Sequence, residues 1–299
     1  MVYTQISSNK RKTALLITFF LVLIIGLGYT FSYSLESPGI LFFAVILSIG
    51  MSFISYFYSD KIVLKMSKAK EIDRQANQEL YRLVENLSIT AGLPTPKIYV
   101  IDDTALNAFA TGRDPQHAVI AFTTGILQKL DKNELEGVAA HELSHIGNYD
   151  IRLSTIIVVL VGIVALLSDW FLRISFLGGG RRNREGGQIG AIIAVAGIVL
   201  ALLSPLIATL IQLAVSRQRE YLADASGVML TRYPQGLSNA LRKLAGDHEP
   251  LEVANKATAH LYIVNPLKDL HGGRSLFKNL FSTHPPLEDR VKRLEQINL

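Results

Sequence analysis

Two uncharged apolar runs near the amino terminus, Thr13 to Tyr33 and Gly39 to Tyr58, constrain the fold more than any other feature of the chain. They are 21 and 20 residues long, and about 20 apolar residues in a helix cross the roughly 30 Å hydrocarbon core of a bilayer. The short segment between them makes a tight membrane hairpin the natural reading. Lys10, Arg11 and Lys12 precede the first run as they would in a secretory signal. Its apolar core is too long for a signal h-region, however, no Ala-x-Ala-like site follows, and a second span comes at once. The first run is therefore expected to stay uncleaved. Two later blocks, Leu153 to Trp170 and Ile189 to Val215, are also apolar; the second holds 27 uncharged residues interrupted only by Pro205. With 49% hydrophobic residues and a mean hydropathy of +0.29, the chain reads as a mainly α integral membrane protein with about four hydrophobic membrane helices.

Orientation follows from Lys/Arg asymmetry. Lys10, Arg11 and Lys12 lie before the hairpin and Lys61, Lys65, Lys68 and Lys70 after it, whereas the turn carries only Glu36. Both ends of the hairpin are thus expected on the cytoplasmic side of a cell membrane. Zero cysteines agree with a reducing compartment and exclude thiolate ligands and disulfides. The loop after the third block carries Arg173, Arg181, Arg182 and Arg184 against Glu185, so a crossing pair there violates the positive-inside preference. A hairpin that enters the bilayer only partly is the alternative. Two crossings are favoured, because so long an uncharged run is hard to keep in water. The net charge of +5 and pI near 9.3 fit contact with anionic lipid better than nucleic-acid binding, since many of the positive charges flank the spans.

Between the hairpins stands His141-Glu142-Leu143-Ser144-His145. On a helix, positions i and i+4 share a face, so both imidazoles can reach one metal ion, with Glu142 beside them as a base. Zinc suits this set and lowers the pKa of water to about 7. Asp131 and Glu134 form a capping box that starts the helix, and Leu135, Val138 and Ala139 supply an apolar side. A third protein ligand is needed, and the best candidate is Glu220 in Arg219-Glu220-Tyr221-Leu222-Ala223-Asp224, directly after the last apolar block. Asp224, four residues on, is spaced to orient a ligand imidazole; the competing reading is a set of ordinary interfacial salt bridges. The tract Gly178-Gly179-Gly180 with Gly186-Gly187 lacks the Gly-Lys-Ser/Thr ending of a phosphate loop and reads as a polar turn.

These motifs, with the late Phe281-Ser282-Thr283-His284-Pro285-Pro286, resemble the HtpX family of membrane zinc endopeptidases, and the resemblance covers nearly the whole chain. It implies a zincin-like metalloprotease domain with a small β-sheet joined to the membrane helices, one Zn2+ held by His141, His145 and Glu220, and Glu142 as general base. It also implies protein substrates, above all damaged membrane proteins cut in their cytoplasmic parts, and a stress role. Two roles stay open for His284: help at the oxyanion, or a structural hold on the terminal helix. His117, His248, His260 and His271 have no ligand spacing and read as structural or surface residues. Asn107, in Asn107-Ala108-Phe109-Ala110-Thr111-Gly112, is a candidate for bonding substrate backbone, its alternative being a place in a supporting sheet. Pro96 to Asp103 and Ala118 to Phe122 read as strands.

The expected organisation is an amino-terminal hairpin over 1–60, a first catalytic part over 61–152, a second hydrophobic hairpin over 153–215 and a second catalytic part over 216–299. A prenyl-processing protease of the CAAX type and a non-enzymatic membrane scaffold with a structural metal are the alternatives. Four short spans are too few to enclose a large chamber, which weighs against the first. A base beside the first ligand weighs against the second.

Overall fold

A computed structural model describes residues 2–34, 36–75, 77–160, 162–163, 217–254, 258–266 and 285–297. Helices α1 (Val2–Ser34) and α2 (Pro38–Met66) form the amino-terminal hairpin. Among the described residues, two segments are long and apolar enough to cross a membrane, Ile6–Tyr33 and Pro38–Met66, with mean hydropathies of 2.4 and 2.3. Their outward faces are large and apolar, with Leu15, Val22, Phe42, Phe43 and Ile46 exposed. The inward face of α2 is instead a stripe of small side chains, Ala44, Ser48, Ser52, Ser55 and Ser59. A Cβ on Gly28 would come within 2.2 Å of the Ala44 Cβ, so the two helices meet as membrane helices do, through small residues that let backbones approach. Of the second expected hairpin, only residues 153–160, 162 and 163 are among those described.

The body that follows is helical around one small sheet. Strands β1 (Lys70–Glu71), β2 (Lys97–Ile101), β3 (Ala108–Thr111) and β4 (Val119–Thr123) lie in the order β1-β2-β4-β3. The β2–β4 pair is parallel and the β3–β4 pair antiparallel, so β3 takes the edge. Helix α3 (Gln78–Ala91) lies between β1 and β2 in the chain and ends at Gly92, whose φ of 65° is the left-handed cap that glycine favours. The short α4 (Thr124–Lys129) leads from β4 to α5 (Lys132–Gly147). Leu80, Val84 and Leu87 of α3, Ile98, Ile120 and Phe122 of the sheet, and Val138, Leu143 and Ile146 of α5 share one core.

Helix α5 carries the His-Glu-x-x-His motif, and its start is as the sequence dictates. The Asp131 side chain accepts from Glu134 N at 3.0 Å, and Glu134 Oε2 accepts from Asp131 N at 2.8 Å. Helix α6 (residues 150–160) follows at once. Helices α7 (Arg217–Thr231), α8 (Pro234–Gly246) and α9 (Leu287–Glu295) complete the described body, with Pro234 opening α8 where the chain breaks from α7. Two glycines set how closely these helices approach α5. A Cβ on Gly227 of α7 would lie 3.0 Å from His141 N, and one on Gly137 of α5 would lie 2.6 Å from Leu237 N. Because the obstacle at Gly137 is backbone, Gly137→Ala is expected to push α8 off α5 and cost about 1–3 kcal/mol. A lowered thermal midpoint of purified protein checks this.

Candidate active site

The motif helix presents His141, Glu142 and His145 from its buried face, and α7 brings Glu220 and Asp224 against them. His141 is 1% exposed, Glu142 2%, Glu220 4% and Asp224 4%. The two imidazoles turn their Nε2 atoms to one another at 3.2 Å. Glu220 Oε1 lies 3.5 Å from His145 Nε2, and Glu220 Oε2 lies 3.8 Å from His141 Nε2. One ligand atom from each of the three residues falls within 4.8 Å of the others. Zinc–nitrogen bonds of about 2.0–2.1 Å put two nitrogens of a tetrahedral site about 3.3 Å apart, so the donor geometry fits a single ion.

Charge agrees with geometry. Four buried carboxylates, Glu142, Asp150, Glu220 and Asp224, face two buried guanidiniums, Arg219 and Arg290. With both imidazoles neutral, as ligation of a metal requires, and all four carboxylates ionised, four negative and two positive charges leave an excess of two negative charges, which one divalent cation would balance. Buried charge is costly unless compensated, so this donor set is suited to a dication.

Each imidazole is held from behind by a carboxylate. His141 Nδ1 lies 2.9 Å from Asp224 Oδ1, and His145 Nδ1 lies 3.0 Å from Asp150 Oδ2. A ring held at Nδ1 has its Nε2 orientation fixed. Burial lowers the pKa of His141, although the Asp224 hydrogen bond opposes this. At His145 burial also works against the cation, but Asp150 and Glu220 outweigh it and raise the pKa to about 9. Burial, reinforced by the neighbouring Glu220, pushes Glu142 up to about 7, against the opposing influence of His145 and Arg290. Asp224 resists the same effect: burial works to raise its pKa, yet Arg290 and His141 hold it below the usual carboxylate range.

Residues 74–298 match peptidase family M48. Full-length relatives are similar throughout: a protease HtpX homolog of Tropheryma whipplei is 46% identical over 99% of both chains. One from Dictyoglomus thermophilum is 46% identical, covering 99% of this chain and 94% of the relative. One from Lactobacillus acidophilus is 47% identical over 99% of this chain and 100% of the relative. The chain belongs to peptidase family M48, in its HtpX group. A solved structure, that of S. mikatae Ste24p, shares the fold with a TM-score of 0.51 at 18% identity, covering 98% of this chain and 67% of that one. Membership in M48, the three-donor site and the two apolar helices together make this HtpX relative a membrane-bound metalloprotease.

Several residues of this M48 site escape the motifs. Arg290 on α9 is fully buried and grips Asp224 with both ends of its fork, Nε to Oδ2 at 2.9 Å and Nη2 to Oδ1 at 2.7 Å. Asp150, the first residue of α6, meets both His145 and Arg219. His260, read from the sequence as structural or surface, is 4% exposed and lines the cleft with Ala110, Ser154, Tyr262 and Ile263. Its Nε2 lies 3.3 Å from the Ser154 carbonyl. His117 conforms to the surface reading, its ring half exposed and paired with Asp114.

Asn107 does something other than reach into the cleft. Its Nδ2 donates to the Val264 carbonyl at 2.9 Å, and its Oδ1 lies 3.4 Å from Val264 N. The amide therefore ties the 262–264 segment to the sheet. Ile263 N donates to the Ala108 carbonyl at 3.0 Å, and Tyr262 bridges Phe109, so this segment lies along the edge strand β3. His271 and His284 fall outside the described residues.

Proposed function

We propose that this M48 protein is a zinc endopeptidase of the cell membrane that hydrolyses peptide bonds in the cytoplasmic parts of misfolded or damaged membrane proteins. The observation that carries the reading is the convergence of His141, His145 and Glu220 beside a buried carboxylate, Glu142, on the wall of one cleft. One zinc ion per chain, held by these three residues, would supply Lewis-acid polarisation of the scissile carbonyl and lower the pKa of the attacking water.

The chain's own residues do the rest. Glu142 takes the proton from the attacking water and returns it to the amide nitrogen as the C–N bond breaks. Burial suits it to this task, because it raises the proton affinity of the carboxylate above that of a solvated one. Asp224 and Asp150 hold the His141 and His145 rings so that Nε2 faces inward. Asn107, by fixing Val264, holds the 262–264 segment along β3 and so shapes the wall of the cleft. His284, just ahead of α9, is kept as a candidate for oxyanion stabilisation.

The catalytic unit is then discontinuous, built from 61–152 and 216–299 around a second hydrophobic hairpin over 153–215. The Lys/Arg bias around α1 and α2 supports a cytoplasmic site and cytoplasmic termini. Both catalytic parts must share one side of the membrane, so the chain crosses an even number of times between them, and two crossings give four in all.

The test uses detergent-purified full-length protein and an unfolded, unprenylated substrate of the casein kind. Chelation is expected to abolish cleavage, and one equivalent of zinc to restore it. A membrane protein with an unfolded cytoplasmic domain should be cut faster than its folded form. Activity confined to prenylated peptides would replace this reading with the prenyl-processing one. Full activity after exhaustive chelation would remove the metal from it.

A further inference from the structure

The first membrane helix reaches the metal site. Asn9, two turns into α1 and 1% exposed, donates from Nδ2 to Asp150 Oδ1 at 2.7 Å and to the Asn148 carbonyl at 3.0 Å. The other oxygen of the same carboxylate, Asp150 Oδ2, is the one against His145 Nδ1. Arg219, next to Glu220 in the chain, closes the group: its Nη1 lies 3.3 Å from Asp150 Oδ1 and 3.5 Å from Asn9 Oδ1. A residue 141 positions upstream thus shares the carboxylate that holds a candidate ligand.

A buried asparagine tying two helices together is ordinarily a matter of stability. Two features argue for more here. The apolar contact that fixes α1 to the body exists without Asn9, since Leu16, Phe20 and Ile24 pack on Leu153, Ile156, Ile157 and Leu160 of α6. The polar partners of Asn9, in contrast, are the group behind His145 and the neighbour of Glu220. A carboxylate bonded at one oxygen only is free to turn about its Cβ–Cγ bond. With Asn9 and Arg219 both on Oδ1, the plane of Asp150 is set and Oδ2 stays on the imidazole.

We propose that Asn9 is a positioning residue of the metal site, acting through Asp150 on His145, so that the first membrane helix is part of the catalytic unit as well as an anchor. The inference rests on the reading of His145 as a metal ligand. Loss of an outer partner of a ligating histidine typically costs about 10–100-fold in metal affinity or activity. At one remove from the ring, Asn9 should fall at the lower end, about tenfold.

The experiment compares full-length, zinc-loaded wild type with Asn9→Ala, Asp150→Asn and the double variant in detergent, following transfer of zinc to a competing chelator. Asn9→Ala is expected to transfer zinc about tenfold faster and to lower kcat with little change in KM. Asn9→Gln, which keeps the amide, should recover part of both. In the Asp150→Asn background Asn9→Ala should add almost nothing, because the two act as one unit. Leu16→Ala, which loosens the apolar contact, should lower the thermal midpoint without speeding zinc transfer. Should Asn9→Ala fail to accumulate, Asn9→Ser is read in its place. The proposal is overturned if the Asn9 variants lower thermal stability alone, or if their effect adds in full to that of Asp150→Asn. If His145→Ala holds zinc as firmly as wild type, the ligand reading itself has failed; if it loses zinc while Asn9→Ala does not, only the role of Asn9 has.

Discussion

Glu142→Gln is expected to lower kcat on an unfolded protein substrate by about 10²–10⁴-fold while leaving bound zinc at one per chain. The substitution is nearly isosteric, so the helix and the three donors should stay in place. What is lost is the capacity to take up a proton. Glu142 must be ionised to act as a base, and burial has raised its pKa to about 7. The sign is therefore fixed: activity falls on the acid side, as Glu142 takes up a proton. A bound dication favours the carboxylate and moves this acid limb downward. Rate against pH and metal content, measured on both proteins, check the prediction together. A Gln variant within tenfold of wild type at equal zinc would move the base to another residue.

What could be read from the sequence was whatever announces itself locally. The two amino-terminal spans declare their length and lack of charge, and the two described candidate helices contain both runs. Asp131 and Glu134 sit three residues apart, so the start of α5 is legible from a four-residue window. Glu220 was accessible by a different route: a tetrahedral metal with two histidines needs another donor, and the segment after the last apolar block offers one. The residues that escaped act across long stretches of chain. Asn9 meets Asp150 across 141 residues and Arg290 meets Asp224 across 66. Neither has a periodicity or spacing to mark it, and an arginine in Glu288-Asp289-Arg290 reads as an ordinary surface charge. The same limit explains Asn107 and His260. Nothing local says that the 258–264 segment folds back along β3, where it takes up the Asn107 amide and brings His260 to the cleft.

Arg290→Met is expected to be the most destabilising single change in the site, costing about 3–5 kcal/mol, because it removes one charge of a buried pair and strands the other. Arg290 is wholly buried. Besides its two bonds to Asp224, it donates from Nη1 to the Ile263 carbonyl at 3.1 Å and lies 3.6 Å from Glu220. One side chain thereby joins α9, α7 and the segment along β3. Burial works against its cation, yet Asp224 and the surrounding carboxylates keep it protonated beyond the ordinary arginine value. Arg290→Lys keeps the charge but loses the planar fork that fits a carboxylate at two points, and should recover only part of the loss. Removing both charges, as in Arg290→Met with Asp224→Leu, should recover much of the stability, since no buried ion is left alone. It should not recover zinc retention, because Asp224 is also the group on His141 Nδ1. Thermal unfolding and zinc transfer should therefore part company in the double variant. If they recover together, the Arg290–Asp224 pair serves the packing of α9 and the orientation of His141 is set elsewhere.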